Sequence, residues 1–188
     1  MNAQLAAVGE ITEFLTLHGI RHFIIGGIAN AVWGQPRATQ DADFKVIVGS
    51  RSIDELVSMI GERFQFRIKD ALAFAQRTYV LPVYASNGIP VDLGLGFLPY
   101  EEQSADRGVV VQQEGVSFVV CTAEDLIIHK AVSERDKDWS DIEGVLIRQG
   151  QALDQNYIAR WLEEFAEVLE RPEIIQRYNQ LRNRIGRG

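Results

Sequence analysis

An α/β front followed by an all-helical back is the fold this sequence predicts, and three observations predict it. Short apolar runs of β character alternate with helical periodicity as far as Cys121. Glycine and Asn-Gly punctuation separates those runs, and from Thr122 onward the apolar spacing is helical throughout. The expectation is an α/β (α+β) core over residues 1–121 and a C-terminal helical segment, 122–188, packed on it. No internal repeat or low-complexity linker interrupts the chain, so the boundary near Cys121 is read as a change of layer.

The elements follow in order. Residues 2–18 read as an amphipathic helix, with Leu5, Val8, Ile11 and Leu15 at steps of three and four and Gly19 as its stop. His22 to Ile25 is a short apolar strand that ends at Gly26-Gly27, and Ile28 to Trp33 resumes a helical pattern closed by Gly34. Phe44 to Val48 is a second strand, preceded by Asp41-Ala42-Asp43. Ser52 and Glu55 form a capping box for a helix running to Arg63. Strand-like runs follow at Phe64–Ile68, Thr78–Tyr84 and Ile89–Leu93, with Asn87-Gly88 as the hairpin signal between the last two. Val109–Gln113 and Val116–Val120 make a further hairpin through Glu114-Gly115. Thr122 with Asp125 caps the first of four helical segments, which continue to about Asn183.

Composition narrows the function. The hydrophobic and charged fractions are those of a globular protein, and no run approaches the roughly 20 apolar residues of a membrane span. The opening residues lack the basic and apolar regions of a signal peptide, so a cytoplasmic location is expected. A single cysteine excludes an internal disulfide, and one cysteine with three histidines offers no set at zinc spacing, so zinc and redox chemistry are not expected. A net charge of −7 argues against general nucleic-acid binding. The arginines at 171, 177, 182, 184 and 187 form a basic C-terminal group, read foremost as a solvated helix face and secondarily as an RNA contact.

The chemistry-bearing residues are acids. Asp41 and Asp43 stand two apart at the edge of a strand, where alternation sends both carboxylates to one face. Two unit charges about 4 Å apart repel by about 4 kcal/mol at an effective dielectric near 20. A cation between them is expected, and Mg²⁺ (or Mn²⁺) suits two carboxylates plus phosphate oxygens. Eleven aspartates make about one chance Asp-x-Asp pair expected, and Asp136/Asp138 is a second pair, placed between helical segments. Context separates the two: only Asp41/Asp43 follows a strand, a glycine turn and a helix and leads into another strand. Gly26-Gly27 lets a ligand approach the backbone at a helix N-terminus, with phosphate as the natural ligand and a plain tight turn as the alternative. Asp92, within Pro90-Val91-Asp92-Leu93, is either a metal ligand or base, or an acid on a solvated strand face.

The run Gly26-Gly27-Ile28-Ala29 … Gly34 … Arg37-Ala38-Thr39-Gln40-Asp41-Ala42-Asp43 resembles the signature of the nucleotidyltransferase superfamily with the DNA polymerase β-like core. Within it the chain looks most like the AbiEii-like and related minimal nucleotidyltransferases, whose helical motif resembles Lys130 … Arg135 … Asp138 … Asp141. The likeness runs from Phe23 to Ile147. It implies a mixed sheet flanked by helices, a triphosphate at Gly26-Gly27, and one or two Mg²⁺ on Asp41, Asp43 and Asp92, with Asp92 also helping to deprotonate the acceptor. It implies transfer of NMP from an NTP to a hydroxyl on RNA such as tRNA, on a protein or on a small molecule. A place in a toxin–antitoxin or phage-defence pair, with a cognate partner, goes with it. Lys130 would face the triphosphate or sit exposed on its helix. Asp138 and Asp141 would touch nucleotide or metal, or serve as helix N-terminal acids. Arg37 would orient phosphate or acceptor, and Trp33 is read foremost as a core residue, with a base-stacking platform as the alternative. Where many members have Ser or Thr after the paired glycines this chain has Ile28, which leaves phosphate to backbone contacts. The alternative function is a non-catalytic nucleotide-binding or regulatory relative, and behind it an unrelated α/β protein with ordinary surface acids. Which NTP is used depends on helices that match no motif.

Overall fold

Helix α1 (Ala3–Leu17) forms because its apolar residues fall on one stripe and Asn2 caps it, accepting a hydrogen bond from the Gln4 amide; Leu5, Val8, Ile11 and Leu15 are buried. The structure is a computed structural model that describes residues 2–133 and 135–186; Arg187 lies outside the described residues. The chain separates into two compact units, one of residues 1–28 and 38–121 and one of residues 29–37 and 122–188.

The first unit holds a seven-stranded mixed sheet. After α1 come β1 (His22–Ile24), the start of α2 (Gly26–Trp33), β2 (Ala42–Ile47), α3 (Ile53–Gly61), β3 (Gln65–Phe66), α4 (Ala71–Thr78), β4 (Val80–Tyr84), β5 (Pro90–Gly96), α5 (Pro99–Arg107), β6 (Val109–Gln113) and β7 (Val116–Val120). The strand order is β3-β4-β5-β2-β1-β7-β6. β2 pairs in parallel with β5 and antiparallel with β1, so these three carry the centre of the sheet. One row of the sheet, Ile24, Phe44, Leu93 and Leu81, is aligned by register and fully buried. The Ser52/Glu55 capping box is formed at α3. Glu114 and Gly115 both have positive φ, as a two-residue hairpin of right-handed strands requires.

Several expectations are corrected. Thr78 ends helix α4 instead of opening a strand, and the run Phe64–Ile68 reduces to the two-residue β3. Helices α4 and α5 were unassigned; α5 begins on Pro99 with the Glu101 carboxylate accepting from the Leu98 amide, a start signal hidden by its few apolar residues.

The second unit, beyond the end of α2, is helical: α6 (Ala123–Ala131), α7 (Asp136–Gln149), a 3₁₀ turn at Gly150–Ala152, α8 (Gln155–Val168) and α9 (Glu173–Ile185). Thr122 caps α6 by accepting from the Asp125 amide. Residues 29–37 are tied to α7 by Arg148 donating to the Gly34 carbonyl and Gln149 to the Trp33 carbonyl. Asp136 and Asp138 lie in the first turn of α7, not between helices, where the dipole favours them. Four of the C-terminal arginines are engaged: Arg171 with Glu173, Arg177 with Asp136, Arg182 with Gln155 and Arg184 with Glu143. Among the described residues no helix is long and apolar enough to cross a membrane.

Candidate active site

Parallel pairing of β2 with β5 sets Asp43 directly beside Asp92, since the two are register partners and therefore share a face. Asp41, two residues before Asp43, completes the group. One carboxylate oxygen from each of Asp41, Asp43 and Asp92 lies within 4.8 Å of the others, and all three side chains are half-buried. The donors are all anionic oxygens, the set a hard divalent cation takes.

The glycine corner is built around this group. The amide of Ile25 donates to the Asp43 carbonyl at 2.9 Å, which extends the β1–β2 ladder to the corner. Gly26 has φ +65°, and a Cβ there would overlap the Asp43 carboxylate, standing 2.7 Å from its Cγ. A Cβ on Gly27 would meet Thr39 at 2.8 Å. Both glycines are thus required by close approach of the helix start to the acidic loop. Ile28 is buried, so the residue that departs from the family pattern is a core side chain.

Three further residues hold the acids. Thr39 Oγ1 donates to Asp41 Oδ1 at 2.7 Å, and Gln4 Nε2 donates to the Asp41 carbonyl at 2.6 Å. Arg67 follows β3 and its amide donates to the carbonyl of Pro82, the register partner of Asp92. Its guanidinium donates to Asp92 Oδ1 at 2.7 Å. Thr39 stood in the recognised motif without a role; Gln4 and Arg67 are distant in sequence and carry no local signal.

The remaining site candidates form a separate cluster within the second unit. Lys130 is buried, and its Nζ donates to Asp138 Oδ1 at 2.9 Å and Asp141 Oδ2 at 2.6 Å. This replaces the exposed-lysine reading. Arg37 donates through Nε and Nη2 to Asp141, and Asn30 Nδ2 donates to the same carboxylate. Ser133 and Arg135 donate to Asp138 Oδ2. Burial works against the charge on Asp138 and Asp141. Hydrogen bonds outweigh it, from Lys130 and Ser133 on Asp138 and from Arg37 and Lys130 on Asp141, holding both carboxyls below the ordinary carboxylate range.

A family model described as "Nucleotidyl transferase of unknown function (DUF2204)" matches residues 4–180. No curated protein matches the sequence. Among solved structures the fold is similar to ANT(2'')-Ia in complex with adenylyl-2''-tobramycin, at TM-score 0.56 and 13% identity over 89% of this chain and 99% of that one. It is also similar to an antigenic nucleotidyltransferase-like protein from Paracoccidioides brasiliensis, at TM-score 0.54 and 15% identity over 93% and 91%. A third is the lincosamide antibiotic adenylyltransferase LnuA, lincomycin-bound, at TM-score 0.50 and 9% identity over 74% and 94%.

Proposed function

Because this chain belongs to the nucleotidyl transferase family of unknown function (DUF2204), we propose that it moves an NMP from an NTP to a hydroxyl acceptor at Asp41, Asp43 and Asp92. The observation that carries this reading is the meeting of the three carboxylates beside the Gly26 corner. In the reaction the acceptor oxygen bonds to the α-phosphorus, the bond from that phosphorus to the β-phosphate oxygen breaks, and pyrophosphate leaves. The acceptor proton passes to Asp92 and then to water. Mg²⁺ or Mn²⁺ bound by the three acids would neutralise phosphate charge and favour ionisation of the acceptor hydroxyl. Thr39 and Gln4 fix Asp41, and Arg67 fixes Asp92, so the acids are positioned before substrate arrives. The amides at Gly26 and Gly27 open α2 and receive phosphate.

ATP and a small hydroxylated acceptor are the first choice, supported by the adenylyltransferases among the similar folds. The proposal retains Arg37 and Lys130 as phosphate ligands in the nucleotide-bound state, with Asp138 and Asp141 as accessory acids. A Lys130→Met variant with unchanged NTP affinity would remove Lys130 from it. The AbiEii-like subtype and a toxin or antitoxin partner belong to the same reading, on the strength of the Lys130-to-Asp141 motif, and a cytoplasmic location, expected from the composition, goes with them.

The test is incubation of the purified chain with each labelled NTP, Mg²⁺ and a panel of small alcohols, RNA and protein extract. Labelled product and pyrophosphate are expected from the parent, and neither from Asp43→Asn. NTP bound without product in any arm would favour the non-catalytic reading.

A further inference from the structure

We infer that the apolar cavity next to the three carboxylates is an acceptor subsite, and that it takes a neutral hydroxylated molecule with an apolar ring body. This rests on the transfer reading above and adds the substrate class. The cavity has a volume of ≈ 600 Å³, within the range of small-molecule sites. Its floor is Lys45, Gly94 and Val80, which are register partners across β2, β5 and β4. Lys45 follows Asp43 by two residues and Gly94 follows Asp92 by two, so floor and carboxylates share one sheet face, about 6.6 Å apart along the strands. A body in the cavity can extend a hydroxyl to Asp92 across that span.

The rim is aromatic. Tyr79 and Phe97 meet edge to face with centroids 5.3 Å apart, and with Leu98 they are about half exposed, an unusual grouping of large apolar side chains. Tyr79 also holds a left-handed backbone, φ 55° and ψ 30°, a conformation that Gly or Asn adopts more readily. Its carbonyl accepts from the Leu95 amide at 2.7 Å, which ties the backbone that carries the ring to β5. A bulky residue kept where glycine would serve points to a use for its side chain.

Charge decides the class of molecule. The lining carries one cation and one anion, Lys45 and Glu101, paired to each other at 2.7 Å. The other oxygen of Glu101 accepts from the Phe97 and Leu98 amides at the start of α5. The pair cancels within the lining, so the cavity wall itself offers no net charge to a polycation or a polyanion, whereas an apolar ring system meets Val80, Leu98 and the two aromatics.

The experiment is a methyl NMR titration of the full chain with 2-(2-naphthyl)ethanol, and separately with tobramycin as a polycationic alcohol. Saturable shifts confined to Ile53, Val80, Leu95 and Leu98 are expected with the naphthyl alcohol and none with tobramycin. Val80→Phe, which lays a ring over Gly94, and Leu98→Glu at the exposed rim should each weaken the naphthyl alcohol tenfold or more while Mn²⁺ binding at the acids is unchanged. Asp43→Asn should lose turnover and keep the alcohol. Absence of saturable shifts, shifts elsewhere, or tobramycin acting on the same methyls would overturn the inference. If no NTP yields product but the alcohol binds as described, the transfer reading fails, and the cavity stands as a binding site for such a molecule and no longer as an acceptor subsite.

Discussion

Gly26→Ala asks whether the glycine corner exists to let Asp43 stand where it does. The added methyl overlaps the carboxylate and lies 2.7 Å from Cγ, against an ordinary contact of at least 3.4 Å, so Asp43 must retreat by about 1 Å. A displacement of about 1 Å at a reacting centre is worth about 100-fold in rate, equivalent to about 2.7 kcal/mol. The backbone at φ +65° adds about 1–2 kcal/mol of instability for any residue with a Cβ. For a chain of this length that lowers Tm by about 2–8 °C. The two effects separate by assay: pyrophosphate release should fall about 100-fold and Mn²⁺ affinity, read by electron paramagnetic resonance, about tenfold, while the thermal melt stays cooperative. A variant that melts a few degrees lower yet turns over within threefold of the parent would refute the claim that close approach to Asp43 is what demands glycine.

Three other outcomes follow from the same geometry. Lys130→Met leaves Asp138 and Asp141 without their buried cation and should destabilise the helical unit by about 3–5 kcal/mol in urea unfolding. All three tryptophans, at 33, 139 and 161, belong to that unit, so their fluorescence reports it specifically, and a loss under 1 kcal/mol would contradict the assignment. Because Asp138 and Asp141 are depressed below the unfolded value of about 3.9, their contribution is fully present above about pH 5 and is lost as pH falls through and below that value. Denaturant melts followed at tryptophan should therefore weaken between pH 5 and pH 3, and a flat profile would remove these pairs as the cause. Arg67→Ala frees Asp92 from a donor that orients it but also competes with a metal for Oδ1; the pair is partly exposed and worth about 0.2–1 kcal/mol, so Mn²⁺ should bind up to about fivefold tighter by calorimetry, and weaker binding would show that orientation by Arg67 outweighs competition.

The parts of this molecule that sequence made legible are those with local signals. Asn2 to Leu17, the strand–glycine–helix passage at Gly26 and the Ser52/Glu55 box all announce themselves within a few residues, and each is present. Helix α4 was illegible because Ala71, Ala73 and Ala75 at every second position do not trace a helical stripe, and Thr78-Tyr79-Val80 reads as β-branched strand up to its left-handed break. At the site, the Asp-x-Asp spacing foretold that Asp41 and Asp43 share a face, but no pattern fixes which strand lies alongside β2. Asp92 was tied to them by family likeness, and the β2–β5 register supplies the physical reason. Arg67 and Gln4 were beyond reach, since each acts through a contact closed only by the sheet or by α1. Lys130, Asp138 and Asp141 were singled out as candidate nucleotide or metal contacts, and nothing local revealed that the lysine is buried and paired with both acids.

The pairing of Asp43 with Asp92 makes one alignment answer for two things. Sliding β5 by a single residue would bring Asp92 under the sheet beside Phe44 and Leu81 and turn Val91 and Leu93 outward, so a misaligned chain suffers an interior charge at the same moment that it forfeits its chemistry. Partial errors of strand pairing are thereby unstable, and molecules that survive folding should be uniform in competence.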